Sequence, residues 1–183
     1  GRLAIPGIIE SHAHFLSLGH SLTRLRLGDA ASWNEVVAMV ATAASRAEPG
    51  EWILGRGWHQ EKWTEIPEPN IDGLPYHHEL SAVSPDNPVF LGHASGHSCF
   101  VNAKAMELAG VGPGTPAPEG GEIVDDADGN PIGVFRETAQ RLINVAMTSY
   151  GDGTAGRPSE PELRRIARLA AQEGLSKGIT SFH

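Results

Sequence analysis

Short apolar runs alternate with capped helices along this chain, and that alternation most restricts what it can fold into. Residues 5–9 (IPGII) read as a buried strand, short and β-branched around a Pro-Gly step. Ser32-Trp33-Asn34-Glu35 is a capping box: Ser32 caps a helix and Glu35 reaches back. Val36, Val40 and Ala43 follow at helical spacing, and Pro49-Gly50 closes that helix. Trp52 to Leu54 read as a second strand before a glycine-hinged loop, and Val89 to Leu91 as a third before the loop GHASGH. The polar, proline-dotted stretch from Glu61 to Pro88 reads as irregular. Asn102 caps a short helix that Gly110 stops. GGEIVDDADGNPIGVF is a β-hairpin turning at Asp128-Gly129-Asn130. A calcium loop fails there, because Gly129 as the turn glycine puts Val124 and Phe135 at the first and last ligand positions. Glu137 to Met147 read as a helix. Ser159-Glu160-Pro161-Glu162 is a second capping box, with Leu163, Ile166, Ala167 and Ala170 as the apolar stripe behind it. Gly178 ends that helix and ITSFH opens a fourth strand. Gly151 to Pro158 is the candidate flexible connection. Strands separated by helices predict parallel β/α construction.

At 183 residues the chain can bury a real core as one domain. No apolar run approaches the ~18 residues that would span a bilayer, and the opening residues are not those of a signal peptide. The net charge of −8 argues against nucleic-acid and anionic-membrane partners, which require clustered cations. The single cysteine, Cys99, forbids an internal disulfide and fits a reducing, cytoplasmic setting. As a residue it is expected to be a small buried hydrophobe.

The histidines fall just after the strands, where β/α folds build their sites. His12 and His14 follow the first strand, Trp58, His59 and Gln60 the second, His93 and His97 the third, and His183 closes the fourth. In extended chain, side chains two residues apart point the same way, so His12 and His14 can aim at one metal ion. The bland alternative is a pair of half-exposed loop histidines. A cupin barrel also carries His-x-His, but its glutamate a few residues later is missing from Phe15-Leu16-Ser17-Leu18-Gly19.

Pro6-Gly7-Ile8-Ile9-Glu10-Ser11-His12-Ala13-His14 resembles the metal-binding strand of the amidohydrolase superfamily, with Glu10 where aspartate is usual. The blocks GRGWHQEKW, SAVSPDNPVFL, GHSCFVNAKAMELAG, GGEIVDDADGNPIGVFRETA and GITSFH extend the resemblance to amidohydrolase family 3, the YtcJ-like proteins. This implies a partial (β/α)8 TIM barrel, about its first four strands plus an inserted hairpin and helices. Residues 1–183 would then be the N-terminal portion of a metal-dependent hydrolase domain. The resemblance further implies hydrolysis of a non-peptide C–N bond in a small amide-type substrate by metal-activated water. The implied cofactor is a divalent metal, with zinc the first choice for imidazole ligands and iron or manganese as alternatives.

His12 and His14 carry over as ligands. Glu137 is either a further ligand and catalytic group or a helix start, where negative charge is favourable. Lys104 and Lys177 are the alternative carboxylated lysines. His97 either bonds substrate, as a catalytic residue, or satisfies backbone in a glycine loop. Trp58 either walls the substrate pocket or packs under the loop, and Gln60 flanks it. His93 stands where arginine is expected. His77 and His78 are expected to be solvated.

A full barrel needs eight strands and ~250 residues. The expectation is therefore a fragment, inactive alone, whose open sheet edges favour homodimers or self-association. Competing readings are a non-catalytic small-molecule-binding barrel, an assembly fragment, and a deaminase of the same fold.

Overall fold

A computed structural model describes residues 5–149 and 159–183 of the chain. In chain order, the first elements are β1 (Ile8–Glu10), α1 (Phe15–Ser21), β2 (Leu25–Arg26), α2 (Trp33–Ala44) and β3 (Ile53–Trp58). Then come β4 (Asn70–Ile71), β5 (Leu74–Pro75), α3 (His78–Val83), β6 (Val89–His93), β7 (Ser98–Val101) and α4 (Ala103–Leu108). The last are β8 (Gly121–Asp125), β9 (Pro131–Glu137), α5 (Gln140–Ser149), α6 (Glu160–Ser176) and β10 (Ile179–Phe182). They form two compact units, Gly1–Arg24 with Arg157–His183, and Leu25–Gly156. The expected connection at Gly151 to Pro158 lies outside the described residues. Among those described, no helix is long and apolar enough to cross a membrane.

In the first unit β1 and β10 are parallel neighbours, with Ile8 opposite Ile179 and Glu10 opposite Phe182. Helix α6 begins as its capping box requires: Ser159 accepts the Glu162 N–H at 3.4 Å, with Pro161 in the first turn. Its stripe is the expected one, with Ile166 and Ala170 buried. Helix α1 packs on it through Gly19, where a side chain would run into the Ile166 carbonyl. Gly19→Ala is therefore expected to destabilise this unit by at least about 1 kcal/mol despite alanine's better helix propensity, as measured by thermal unfolding. One expectation is corrected here. The first strand begins at Ile8 and is not buried: Ile8 is 54% and Ile9 65% exposed. A ribbon of two strands has too little surface to shield both of its faces.

The second unit is built on a six-stranded sheet ordered β2-β3-β6-β7-β9-β8. The pairs β2–β3 and β3–β6 are parallel, and the ladders from β6 to β8 are antiparallel. Both faces are covered. Phe100, Val134, Val89 and Leu91 join Trp33, Val36 and Val40 of α2 in one core. Cys99, Val101 and Phe135 join Ala105, Met106 and Ile143 in the other. Neighbours on β7 thus alternate between two cores, which makes the strand read as an unbroken apolar run.

The four strands expected from sequence consequently do not share one sheet. The first and fourth are β1 and β10, and the second and third are β3 and β6 in the larger sheet. Strand β3 also runs through Gly55 and Gly57 instead of ending in a loop, because its neighbours press close: a Cβ at Gly55 would sit 2.8 Å from Leu91. The stretch from Glu61 to Pro88 holds the β4–β5 hairpin and α3. The β8–β9 hairpin is as expected. Asp126 accepts the N–H groups of Asn130 and Asp128 at its turn, and these bonds hold its carboxyl below the usual range.

A candidate metal pair and an acid–base cleft

In the first unit, His12 and His14 follow the C-terminal end of β1. The adjacent strand fixes their backbone: His183 N donates to the Glu10 carbonyl at 3.0 Å, and Ala13 N donates to the His183 carbonyl at 3.1 Å. The two imidazoles approach edge to face, with ring centres 5.1 Å apart and planes at 85°. Two imidazoles on one tetrahedral ion place their ring centres about 5 Å apart, given a ~2.1 Å nitrogen–metal bond and the size of the ring. The observed separation meets that requirement, and both rings are exposed to an incoming ion. Among the described residues, no three His, Cys, Asp or Glu side chains come together as an ion would need. His12 and His14 are a pair without a third ligand there. His183, at the end of β10, is exposed.

Trp58, Gln60, His93, His97 and Glu137 belong to the second unit, where they line a cleft of about 450 Å³. Trp58 is its most buried wall, 1% exposed, and its Nε1 donates to the Leu91 carbonyl at 2.8 Å. It both packs beneath the loop and faces the cleft, so the two sequence readings are compatible. Gln60 also lines the cleft, with Oε1 buried and unbonded among the described residues.

Glu137 is not a helix start. It is the last residue of β9, three residues before α5, so the helical expectation from Glu137 is corrected. Its φ of +51° lies in the left-handed region that glutamate rarely occupies. The backbone is held there by Glu137 N donating to the His97 carbonyl at 2.8 Å. Gly121 opposite has no room for a side chain, because a Cβ would stand 2.6 Å from Thr138 Oγ1. A strained residue held by its surroundings is a mark of a functional position.

His97 Nδ1 lies 3.1 Å from Glu137 Oε2. A carboxylate can only accept, so Nδ1 carries the proton and Nε2 is left as the basic nitrogen. Glu137 Oε1 makes no hydrogen bond among the described residues. The dyad can therefore accept and return a proton in a water-accessible cleft.

Ser95 organises the loop beneath it. Its N–H donates to His93 Nδ1 at 3.1 Å and its hydroxyl oxygen accepts from His97 N at 3.1 Å. Since Nδ1 of His93 accepts a backbone N–H, a neutral ring keeps its proton on Nε2. Burial, and then the neighbouring His59, push His93 below the ordinary imidazole value, opposed by Glu61. Where arginine was expected, the chain thus holds a neutral ring against Trp58, 4.6 Å away between centres. The arginine in this cleft is instead Arg136, whose Nη1 donates to Glu122 Oε2 at 2.8 Å across β8 and β9.

Ser95 and the Arg136–Glu122 pair were not anticipated. Ser95 had a signal, since it lies two residues from each of two histidines; the cross-strand pair had none before the hairpin register was known. Cys99 is fully buried as expected, which drives its thiol well above the usual range. Lys104 and Lys177 are each paired with a glutamate of their own helix, Glu107 and Glu173. His77 is corrected from solvated to half-buried: its Nδ1 meets Ser81 Oγ at 2.9 Å, and burial, then His78, lower its pKa.

Residues 1–182 match the model of the Amidohydrolase family. The chain is 32% identical to the Bacillus subtilis protein YtcJ, over 100% of this chain and 32% of that one. It is 32% identical to the N-substituted formamide deformylase of Arthrobacter pascens, over 80% of this chain and 26% of that one. A crystal structure of an uncharacterized metal-dependent hydrolase from Pyrococcus horikoshii superposes with a TM-score of 0.60 at 25% identity, covering 97% of this chain and 30% of that one. The chain therefore spans about a quarter to a third of the length of these proteins.

Proposed function

Because the chain belongs to the amidohydrolase family, we propose that it is the portion of a metal-dependent hydrolase that carries the first metal ligands. The reaction is hydrolysis of a non-peptide C–N bond in a small amide-type molecule. The observation that carries this reading is the His12–His14 pair, two exposed imidazoles with ring centres 5.1 Å apart at the C-terminal end of a parallel strand. On the same reading β1 and β10 are the first two strands of a (β/α)8 barrel, and the second unit is an insertion in the sequence between them.

His12 and His14 hold a divalent ion, with zinc favoured by imidazole donors and iron or manganese as alternatives. Once bound, such an ion polarises a carbonyl and makes a nearby water acidic enough to attack near neutral pH. In the second unit, His97, with Nδ1–H on Glu137, offers Nε2 as a proton acceptor and donor to a small molecule held in its own cleft. Glu137 fixes the tautomer of that ring, and its free Oε1 is available to a proton or a cation. Trp58 and Gln60 supply an apolar wall and a hydrogen-bonding edge for substrate. The name of the Arthrobacter relative makes N-substituted formamides the first compounds to assay.

The test is metal analysis and a hydrolysis assay on the intact protein, purified without chelators. Stoichiometric divalent metal and release of amine from an N-substituted amide are expected. The 183 residues alone are expected to be inactive, since two imidazoles fall short of the three protein ligands of a catalytic zinc. An intact protein without metal, or one that binds amides but never cleaves them, would instead favour a non-catalytic binding role. Release of ammonia from a ring amine would identify a deaminase. Hydrolysis at an ordinary rate by the 183 residues would contradict the fragment reading.

A further inference from the structure

Glu10, the last residue of β1, makes a contact that the ligand assignment leaves unused. Its Oε1 accepts a hydrogen bond from the His12 backbone N–H at 3.1 Å. The next amide, Ala13 N, is held by the His183 carbonyl, and the Glu10 carbonyl holds His183 N. The two amides on either side of the His12 carbonyl are thus tied down, one by a side chain and one by the neighbouring strand. An aspartate that accepts the N–H two residues on forms an Asx-turn. Glu10 makes the same closure with one more methylene in its arm. It is also the least exposed residue of β1, although the bond itself lies at the surface.

We propose that Glu10 is a positioning residue: its carboxylate oxygen fixes the His12 amide and so presets the approach of the His12 ring to His14 for a shared divalent cation. The inference rests on the metal reading above. Without this bond the two strand bonds on either side remain, but the His12 amide between them loses its closure and must be ordered when the ion arrives, and that ordering opposes binding. The role requires an acceptor oxygen at this place and does not require a negative charge.

The experiment uses the intact protein as wild type, Glu10→Gln, Glu10→Asp and Glu10→Ala. Each is stripped of metal and titrated with Zn²⁺ against a competing chelator, and the Co²⁺ form of each is examined by visible absorption. The Gln and Asp variants are expected to bind within about threefold of wild type with unchanged Co²⁺ bands, and the Ala variant about tenfold to a hundredfold more weakly with shifted bands. An Ala variant that binds as tightly as wild type overturns the proposal. So does a Gln variant that falls as far as Ala, which would assign the effect to charge. If the Ala variant does not fold, the Gln and Asp affinities decide: retention in both supports the proposal and loss in either overturns it. A wild-type protein that does not bind Zn²⁺, or a His12→Ala/His14→Ala variant that binds it as tightly, overturns the metal reading itself, a result distinct from all of these.

Discussion

Replacing His12 and His14 together by alanine is expected to empty the intact protein of divalent metal and to lower its hydrolysis by at least about a thousandfold. The size follows from what a bound ion contributes, several kcal/mol of stabilisation of developing charge, with each 1.36 kcal/mol worth about tenfold in rate. Both rings are exposed and lie beyond the last residue of β1, so neither supports a core. The double variant should therefore unfold at the temperature of the metal-stripped wild type, and loss of activity cannot be assigned to loss of fold. Single replacements separate the ring contacts further. If the two histidines share one ion, either change alone removes most of the bound metal, because a site that loses one of its few protein ligands holds the ion far more weakly against solvent or chelator. If the edge-to-face contact at 5.1 Å is only a contact between rings, both single variants and the double variant keep metal and activity. Inductively coupled plasma measurement of metal, with the rate measured on the same preparations, distinguishes the two.

Local chemistry was the most legible part of this sequence. Ser159 and Asn102 cap the helices they were expected to cap, because a side-chain oxygen facing an orphan N–H needs only a few residues to act. Ser32 does the same, although the Glu35 carboxylate bonds Ala31 N, one residue before the reciprocal position of the capping box. The β8–β9 hairpin was equally readable from its turn. What the sequence hid was partnership between distant strands. Strand β7 lay unnoticed between GHASGH and Asn102 because its residues alternate between two cores and show no polar face. The glycines of β3 read as a hinge, yet they lie in the strand: Leu91, Leu27 and Leu25 leave no room for a side chain at Gly55, and Gly57 has a φ of +102° close to Gly28. Glu137 read as a helix start because glutamate followed by Thr-Ala-Gln-Arg fits one. Its left-handed backbone is imposed by the His97 loop, 40 residues earlier in the chain. The His12–His14 pair was visible because its geometry is local; the cleft was visible only as separate residues.

Asn102 carries the second large prediction, one that separates two roles for a single side chain. Its Oδ1 accepts from Ala105 N at 3.0 Å, as a helix cap should, and also from Val89 N at 3.0 Å at the start of β6. Its Nδ2 donates to the Ser84 carbonyl at 3.0 Å, the Ser84 hydroxyl at 2.9 Å and the Asn87 carbonyl at 2.8 Å. The residue is fully buried, so water cannot replace any of these bonds. Asn102→Ala removes a cap worth about 1 kcal/mol and strands at least two buried groups, the Val89 N–H and the Asn87 carbonyl, at about 1–3 kcal/mol each, for a total of at least about 3 kcal/mol. At this chain length that corresponds to a fall in melting temperature of about 6–12 °C. Asn102→Asp is the more informative change. As a helix cap alone, aspartate serves as well as asparagine, and its charge suits a helix N-terminus. As a junction it cannot serve, because its second oxygen would face three acceptors in the interior with no proton to offer them. The Asp variant is therefore expected to lose at least as much stability as the Ala variant at neutral pH, and to recover part of it on acidification, when the carboxyl regains a proton to donate. Thermal unfolding of the three proteins across pH measures this directly, and an Asp variant as stable as wild type at neutral pH would reduce Asn102 to a cap.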